Sequence, residues 1–424
     1  MNNPSRKIWE SPWSYTEGFM VASGIVLSGL LLQQLSGNIQ TALFGYPINI
    51  IIGALFVLGL LFIHFIGRKN TIIRWFSGVY ATIPALVVLI FLSVIMGVVP
   101  QFTPESTSEQ LPSTIFSSLG WYRMVTSWSF VMLCFYTLAI LGLATLRHTQ
   151  KKQSWRDIGF YLNHIGLFIA LLGGILGSAD MQRLTMTVQE GHVEWRAQST
   201  SGDIRELPIA IQLDTFMIDQ YEPKLVVIDN RSGKILPATR PQSYMFEGIG
   251  KTTQLAGLTL EITDYLPNAA IFRDSTFANV VPMKMDGATN AIKVRVTKPG
   301  QSEQPVEGWV TCGSYLFPHN VLYVDQEKSI AMPVPEVRRY TSKVTVFTEH
   351  GHTKEAIIEV NKPLSIEDWK IYQYSYDQAK GKYSETSIFE LVRDPWLKVV
   401  YTGIFMLLAG ALYLFIVGPK KNTL

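Results

Sequence analysis

The chain is 424 residues long and 48% hydrophobic, with 36 Lys and Arg against 33 Asp and Glu, a formal net charge of +3. So small a charge leaves no electrostatic footprint for nucleic acid, and apolar residues gathered in long blocks exclude a purely soluble fold. The two cysteines, Cys134 and Cys312, form no Cys-x-x-Cys or Cys-x-x-Cys-His, which excludes a thiol oxidoreductase of that type and a cytochrome c carrying its own haem.

Six segments are long and apolar enough to be membrane-spanning helices: 15–35, 48–66, 76–98, 127–146, 158–178 and 397–417. The first has no small-residue cleavage site after it and reads as a retained anchor, not a signal peptide. Pro84 in the third is expected as a tolerated kink. Basic residues cluster at alternate ends of the spans. Arg6 and Lys7 precede the first; Arg68, Lys69 and Arg74 separate the second and third; Arg147, Lys151, Lys152 and Arg156 separate the fourth and fifth; Lys420 and Lys421 follow the sixth. The intervening loop 37–47 has no charge, and 99–125 has Glu105, Glu109 and only Arg123. The positive-inside rule therefore predicts both termini in the cytoplasm. Trp13, Trp75, Trp128, Trp155 and Trp396 fall near span ends, as an interfacial belt does.

Between the fifth and sixth spans, residues 179–395 lie outside by this topology. They show short β-rich runs (Leu184–Val188, Ile209–Leu213, Lys224–Ile228, Leu258–Ile262, Ala291–Val296, Lys343–Phe347 and Ala356–Val360) broken by turn residues such as Asp229–Gly233 and Glu349–Gly351. That spacing predicts a sandwich-like or open-sheet domain. The expected fold class is a polytopic α-helical membrane protein of about six transmembrane helices with a large β-rich extracytoplasmic domain. Its parts are a membrane domain over 1–178, the β-rich domain over 179–395, and a last helix with a short tail over 396–424. Asp180 and Pro395-Trp396 hold the β-rich part close to the lipid at both ends.

The fifth span carries the most informative residue, His164. An ionisable side chain inside a span is by default a functional-site hypothesis, and neutral imidazole is a common iron ligand. At about 100° per residue, Gly159, Asn163, Gly166, Ala170, Gly173 and Gly177 share one stripe, where a neighbouring helix packs closely. His164 sits about 160° away, among Phe160, Leu167, Phe168, Leu171 and Ile175. It points at lipid, another subunit, or a flat apolar ligand with a metal to offer. The blander reading is a hydrogen bond to a neighbouring backbone or hydroxyl group.

The other histidines are weaker candidates. His64, near the end of the second span, reads as an interfacial residue snorkelling to headgroups. His319, in Ser314-Tyr315-Leu316-Phe317-Pro318-His319, is flanked by aromatics that could line an apolar ligand surface. His192, His350 and His352 read as structural, His148 as solvated, and Cys312 as buried and inert. No hydrolase, phosphate-cradling or zinc motif is present, so no catalytic residue is assigned.

The carboxyl end carries a resemblance. Val360-Asn361-Lys362-Pro363-Leu364, Trp369-Lys370-Ile371-Tyr372-Gln373-Tyr374-Ser375-Tyr376, and Arg393-Asp394-Pro395-Trp396 leading to Tyr401-Thr402-Gly403 resemble the ResB (CcsB) family of cytochrome c biogenesis proteins. That family shows an N-x-P strand, a Y-Q-x-S strand and a D-P entry to the last helix. Leu162–Arg183 also matches, and the resemblance covers about 160–417. The opening Trp9-Glu10-Ser11-Pro12-Trp13 is similar to a variant found in Bacteroidetes-like bacteria.

The resemblance implies a multi-pass protein of the bacterial inner (cytoplasmic) membrane with its large domain in the periplasm. It implies a non-catalytic or co-catalytic subunit of a cytochrome c haem lyase complex. With a CcsA-type partner, such a subunit moves haem b transiently across the bilayer to apocytochrome c, with His164 as an axial ligand and His64 and His319 as weaker candidates. The chain departs from the family's commoner layout in having six spans and no tryptophan-rich loop, which implies a separate CcsA. Two other readings stand beside it: a b-type electron-transfer subunit with His64 and His164 on one permanent haem, and a membrane-anchored β-domain scaffold.

Overall fold

A computed structural model describes residues 11–67, 69–102, 112–150, 152–273, 278–298 and 304–418. Arg6, Lys7, Trp9, Glu10, Arg68, Glu105, Glu109, Lys151, Lys420 and Lys421, named above for topology or resemblance, lie outside the described residues.

Among the described residues, six helices are long and apolar enough to cross a membrane: α1 (Tyr15–Ser36), α2 (Ile48–Ile66), α4 (Val79–Val98), α6 (Trp128–His148), α7 (Asp157–Gly177) and α8 (Leu397–Val417). Short helices α3 (Thr71–Phe76) and α5 (Ile115–Ser118) lie between them. The third span starts at Val79, later than expected, because α3 forms separately. Asn70 caps α3 by accepting the Ile72 N–H at 2.8 Å, and Gly78 occupies the N-cap of α4. Pro84 stays inside α4 and is buried there against α1, close to Gly18.

Two helix packings organise the membrane part. Helices α1, α4 and α6 share a core of Ala22, Ala81, Ala85, Leu92, Leu133, Tyr136 and Ile140. Helix α7 pairs with α8 through the small-residue stripe. Along α7, Gly159 meets Leu414, Asn163 meets Gly410, Gly166 meets Gly403, Gly173 meets Val399 and Gly177 meets Trp396. Ascending numbers on α7 meet descending ones on α8, so the pair is antiparallel. Glycines let the two backbones touch: a Cβ on Gly403 would stand 2.5 Å from the Gly166 carbonyl oxygen and 2.6 Å from the Ala170 nitrogen.

Among the described residues, the β-rich part holds three sheets. The largest has the order β14-β13-β3-β2-β1-β17-β16-β15. Its strands are β1 (Gln182–Gln189), β2 (Val193–Ser199), β3 (Ile204–Gln220), β13 (Val337–Thr348), β14 (Thr353–Glu359), β15 (Leu364–Ile366), β16 (Trp369–Tyr376) and β17 (Thr386–Arg393). The two edges, β14 and β15, are consecutive in the chain, and Lys354 Nζ on one reaches the Ser365 carbonyl on the other at 3.4 Å. The sheet therefore curls until it is nearly closed. It wraps one core, with Met186, Ile211, Leu213, Val346, Ile358, Ile371 and Phe389 all buried.

The other two sheets face each other. One is β4 (Lys224–Asp229), β5 (Ser243–Met245), β11 (Leu322–Tyr323) and β12 (Lys328–Ala331). The second is β6 (Thr252–Leu255), β7 (Leu258–Arg273), β8 (Ala278–Pro282), β9 (Thr289–Thr297) and β10 (Val306–Thr311). Leu225, Val227 and Ile330 from the first pack on Leu260, Ile262, Val294 and Val310 from the second. Here the sandwich expectation holds; the curled sheet was not foreseen.

Strand β1, which leaves α7, pairs with β17, which enters α8, with Gln182 opposite Arg393. Both attachments to the membrane helices thus leave from neighbouring strands. Asp180 ties them together. Its carboxylate accepts the Tyr46 N–H at 2.6 Å, Asn49 Nδ2 at 2.7 Å and Trp396 Nε1 at 2.7 Å. Burial alone would raise this carboxyl, but those donors and the charge of Arg393 outweigh it and hold its pKa below the ordinary value.

Candidate functional site

His164 stands at the end of the second turn of α7, on the side away from α8. Its Nδ1 lies 3.0 Å from the Phe160 carbonyl oxygen. A carbonyl can only accept, so Nδ1 carries the hydrogen and Nε2 keeps an unshared lone pair. The bland backbone bond exists, but it engages one nitrogen and fixes the tautomer that leaves the other free to bind a metal. Metal-binding histidines are commonly oriented by such a bond from their second nitrogen.

The ring is also stacked. His164 lies 3.8 Å from the Phe160 ring centroid at 26°, and the Phe160 ring lies 4.0 Å from that of His148 at 26°. His148 Nε2 is 3.2 Å from Asp157 Oδ1, while Asp157 Oδ2 accepts the Ser154 N–H at 2.8 Å. His148 is thus not a solvated loop residue. It ends α6 and braces Phe160, which braces His164. Sequence reading missed this brace because His148 and Phe160 belong to different helices. The available signals were Asp157 at the start of a span and the i, i+4 spacing of Phe160 and His164.

Around His164 the surface is apolar. Ile165, Leu167 and Leu171 are exposed, and the imidazole itself is half-buried. Farther along α7, Gly174, Ile175 and Leu176 help line a cavity of about 720 Å³ whose other walls include Ile25, Trp128, Val131 and Phe135. Trp128 keeps its Nε1–H buried with no acceptor among the described residues.

His64 and His319 occupy different settings. His64 is only 7% exposed, not an interfacial side chain reaching for headgroups. Gln150 Nε2 donates to its Nε2 across 3.3 Å, so that lone pair is already engaged. His319 lines an outer cavity of about 340 Å³ with Cys312, Tyr315, Lys382 and Tyr383. Burial lowers the Lys382 pKa, partly opposed by Cys312. Cys312 borders this cavity with its sulfur 3.3 Å from Thr289 Oγ1, so it is only partly buried.

Among the described residues, no three His, Cys, Asp or Glu converge as a metal site. Haem iron brings four of its own ligands and asks the protein for axial ones. His164 Nε2, on an apolar face and anchored through Nδ1, fits that requirement.

Residues 144–244 and 320–389 match the model of the ResB-like family. His164 falls inside the matched segments; His64 and His319 fall outside, as does Arg393-Asp394-Pro395-Trp396. Among solved structures, the chain is similar to one named Cytochrome c Heme Lyase CcmF, at 11% identity and a TM-score of 0.22. That likeness covers 87% of this chain and 46% of the other, so this chain spans about half the length of that structure. No curated protein matches the chain.

Proposed function

We propose that this chain, ResB-like over the two matched segments, is a subunit of a cytochrome c maturation complex. It passes haem across the membrane with a CcsA-type partner for attachment to apocytochrome c. The observation that carries the reading is His164: an intramembrane imidazole turned away from its own helix pair, with Nδ1 tied to the Phe160 carbonyl and Nε2 available. When bound, haem b supplies an iron with two axial positions. His164 would hold that iron through Nε2, and the apolar face around it would leave the remaining protein ligand to another subunit. The reading includes the topology argued from Lys and Arg placement and the three-part division at 178 and 395. It puts the chain in the bacterial inner membrane with both termini cytoplasmic and the β-rich part in the periplasm. A permanent haem held by His64 and His164 would first have to displace Gln150 from His64 Nε2.

The test is His164→Ala. The variant is expected to insert and accumulate while c-type cytochromes, read by haem-stained gels, fall at least tenfold. Added imidazole is expected to restore part of the loss by occupying the vacant axial position. Normal holocytochrome c in the variant would overturn the assignment.

A further inference from the structure

A second site lies at the His64 end of the bundle, where α2, α3 and α6 enclose a pocket of about 290 Å³. Its walls are His64 in the last turn of α2 and Lys69 just after it, Ile73 and Arg74 from α3 with Ser77 at its C-cap, and Leu143 and Arg147 from α6 with Gln150 just beyond. Among the described residues, three permanent cations line it and no carboxylate does. Among the described residues, none of the three forms an ion pair. Arg147 is fixed by donating to the Arg74 carbonyl at 2.7 Å and to Ser77 Oγ at 3.3 Å, which holds its charge at the wall. Lys69 and Arg74 are exposed. Scattered interfacial cations would satisfy the positive-inside pattern without converging. Here they converge on one recess between helices, beside a buried imidazole.

What surrounds the pocket decides the source of the anion. The pocket lies where two membrane-length helices end, at the last turns of α2 and α6. An anion bound here therefore sits at the level where spanning helices leave the bilayer, which is the level of lipid phosphates. Basic pockets between helices at a membrane's cytoplasmic side bind anionic headgroups in this way.

We propose that this pocket binds the phosphate headgroup of an anionic phospholipid, with Lys69, Arg74 and Arg147 as its cations. The proposal is independent of the role given to His164.

The full chain, purified and placed in phosphatidylcholine nanodiscs containing or lacking phosphatidylglycerol, supplies the test, with lipid retained on release counted by native mass spectrometry. Wild type is expected to retain phosphatidylglycerol over phosphatidylcholine. Lys69→Gln/Arg74→Gln is expected to weaken that retention roughly 30-fold, the scale for two interfacial cations, and Lys69→Arg/Arg74→Lys to preserve it. A remote double variant of equal charge, Arg205→Gln/Lys251→Gln, is expected to behave as wild type. The proposal fails if wild type shows no preference, if the remote variant loses as much as the pocket variant, or if millimolar inorganic phosphate displaces the lipid fully.

Discussion

At the residue scale, two side chains show how a local bond sets chemistry. His164 is oriented twice: its Nδ1–H holds the Phe160 carbonyl, and its ring rests on the Phe160 ring. The carbonyl survives any substitution of Phe160; the stack does not. Phe160→Leu is therefore expected to keep the tautomer but loosen the ring, lowering c-type cytochromes by a few-fold, less than His164→Ala does. Equal losses in the two variants would show that the stack is essential. Asp180 offers a pH test. Its folded pKa lies below the ordinary value, so the carboxylate contributes stability that is present above the unfolded pKa of about 3.9 and is lost as pH falls through the folded one. The thermal midpoint of wild type in detergent should exceed that of Asp180→Asn by a constant amount above about pH 5, and the gap should shrink below about pH 4. A gap that widens with acid would mean the donors around Asp180 do not stabilise its charged form. Asp180 was legible in the sequence only as a residue abutting the membrane. Its partners Tyr46, Asn49 and Trp396 come from distant segments, which no local pattern reveals.

At the element scale, the stripe on α7 was readable because helical periodicity is local: small residues at three- and four-residue spacing must share a face. The helix that fills it was not readable. Gly403 and Gly410 on α8 lie beyond the whole β-rich segment, and nothing in the α7 sequence selects α8 over α6 as partner. The structure makes the stripe testable. At Gly166 a side chain would meet the Gly403 carbonyl and the Leu407 nitrogen, which are backbone atoms that cannot swing aside. At Gly59 of α2 a side chain would meet nothing within 4 Å. Gly166→Leu should therefore reduce the amount of protein in the membrane severely, since overpacking at a rigid contact costs about 3 kcal/mol or more, whereas Gly59→Leu should accumulate normally. Similar levels for the two would show that the α7–α8 contact does not hold the fold.

At the scale of the whole molecule, alternation of apolar residues marked the strands: six of the seven expected runs fall within strands, and Ala356–Val360 overruns β14 by one residue. Their pairing was hidden, because register between β1 and β17 depends on residues at opposite ends of the β-rich segment. That pairing explains why a segment anchored at both ends by membrane helices can still complete its own sheet. The two attachment points sit side by side, Gln182 opposite Arg393, and the core of the curled sheet draws its buried side chains from residues 184–391. Nothing in that core comes from α1–α8. Residues 180–395 produced alone should therefore fold, with β-type circular dichroism and a cooperative thermal transition. Because the proposed axial ligand stays behind on α7, the fragment should bind haem no better than weakly, even though it retains His319, Cys312 and the cavity they line. Haem titration followed by absorbance separates the possibilities. Tight, stoichiometric binding lost on His319→Ala would move the haem site out of the membrane and remove His164 from its role. A folded fragment without that binding is the expected result, and it keeps the proposed haem contact on the helices.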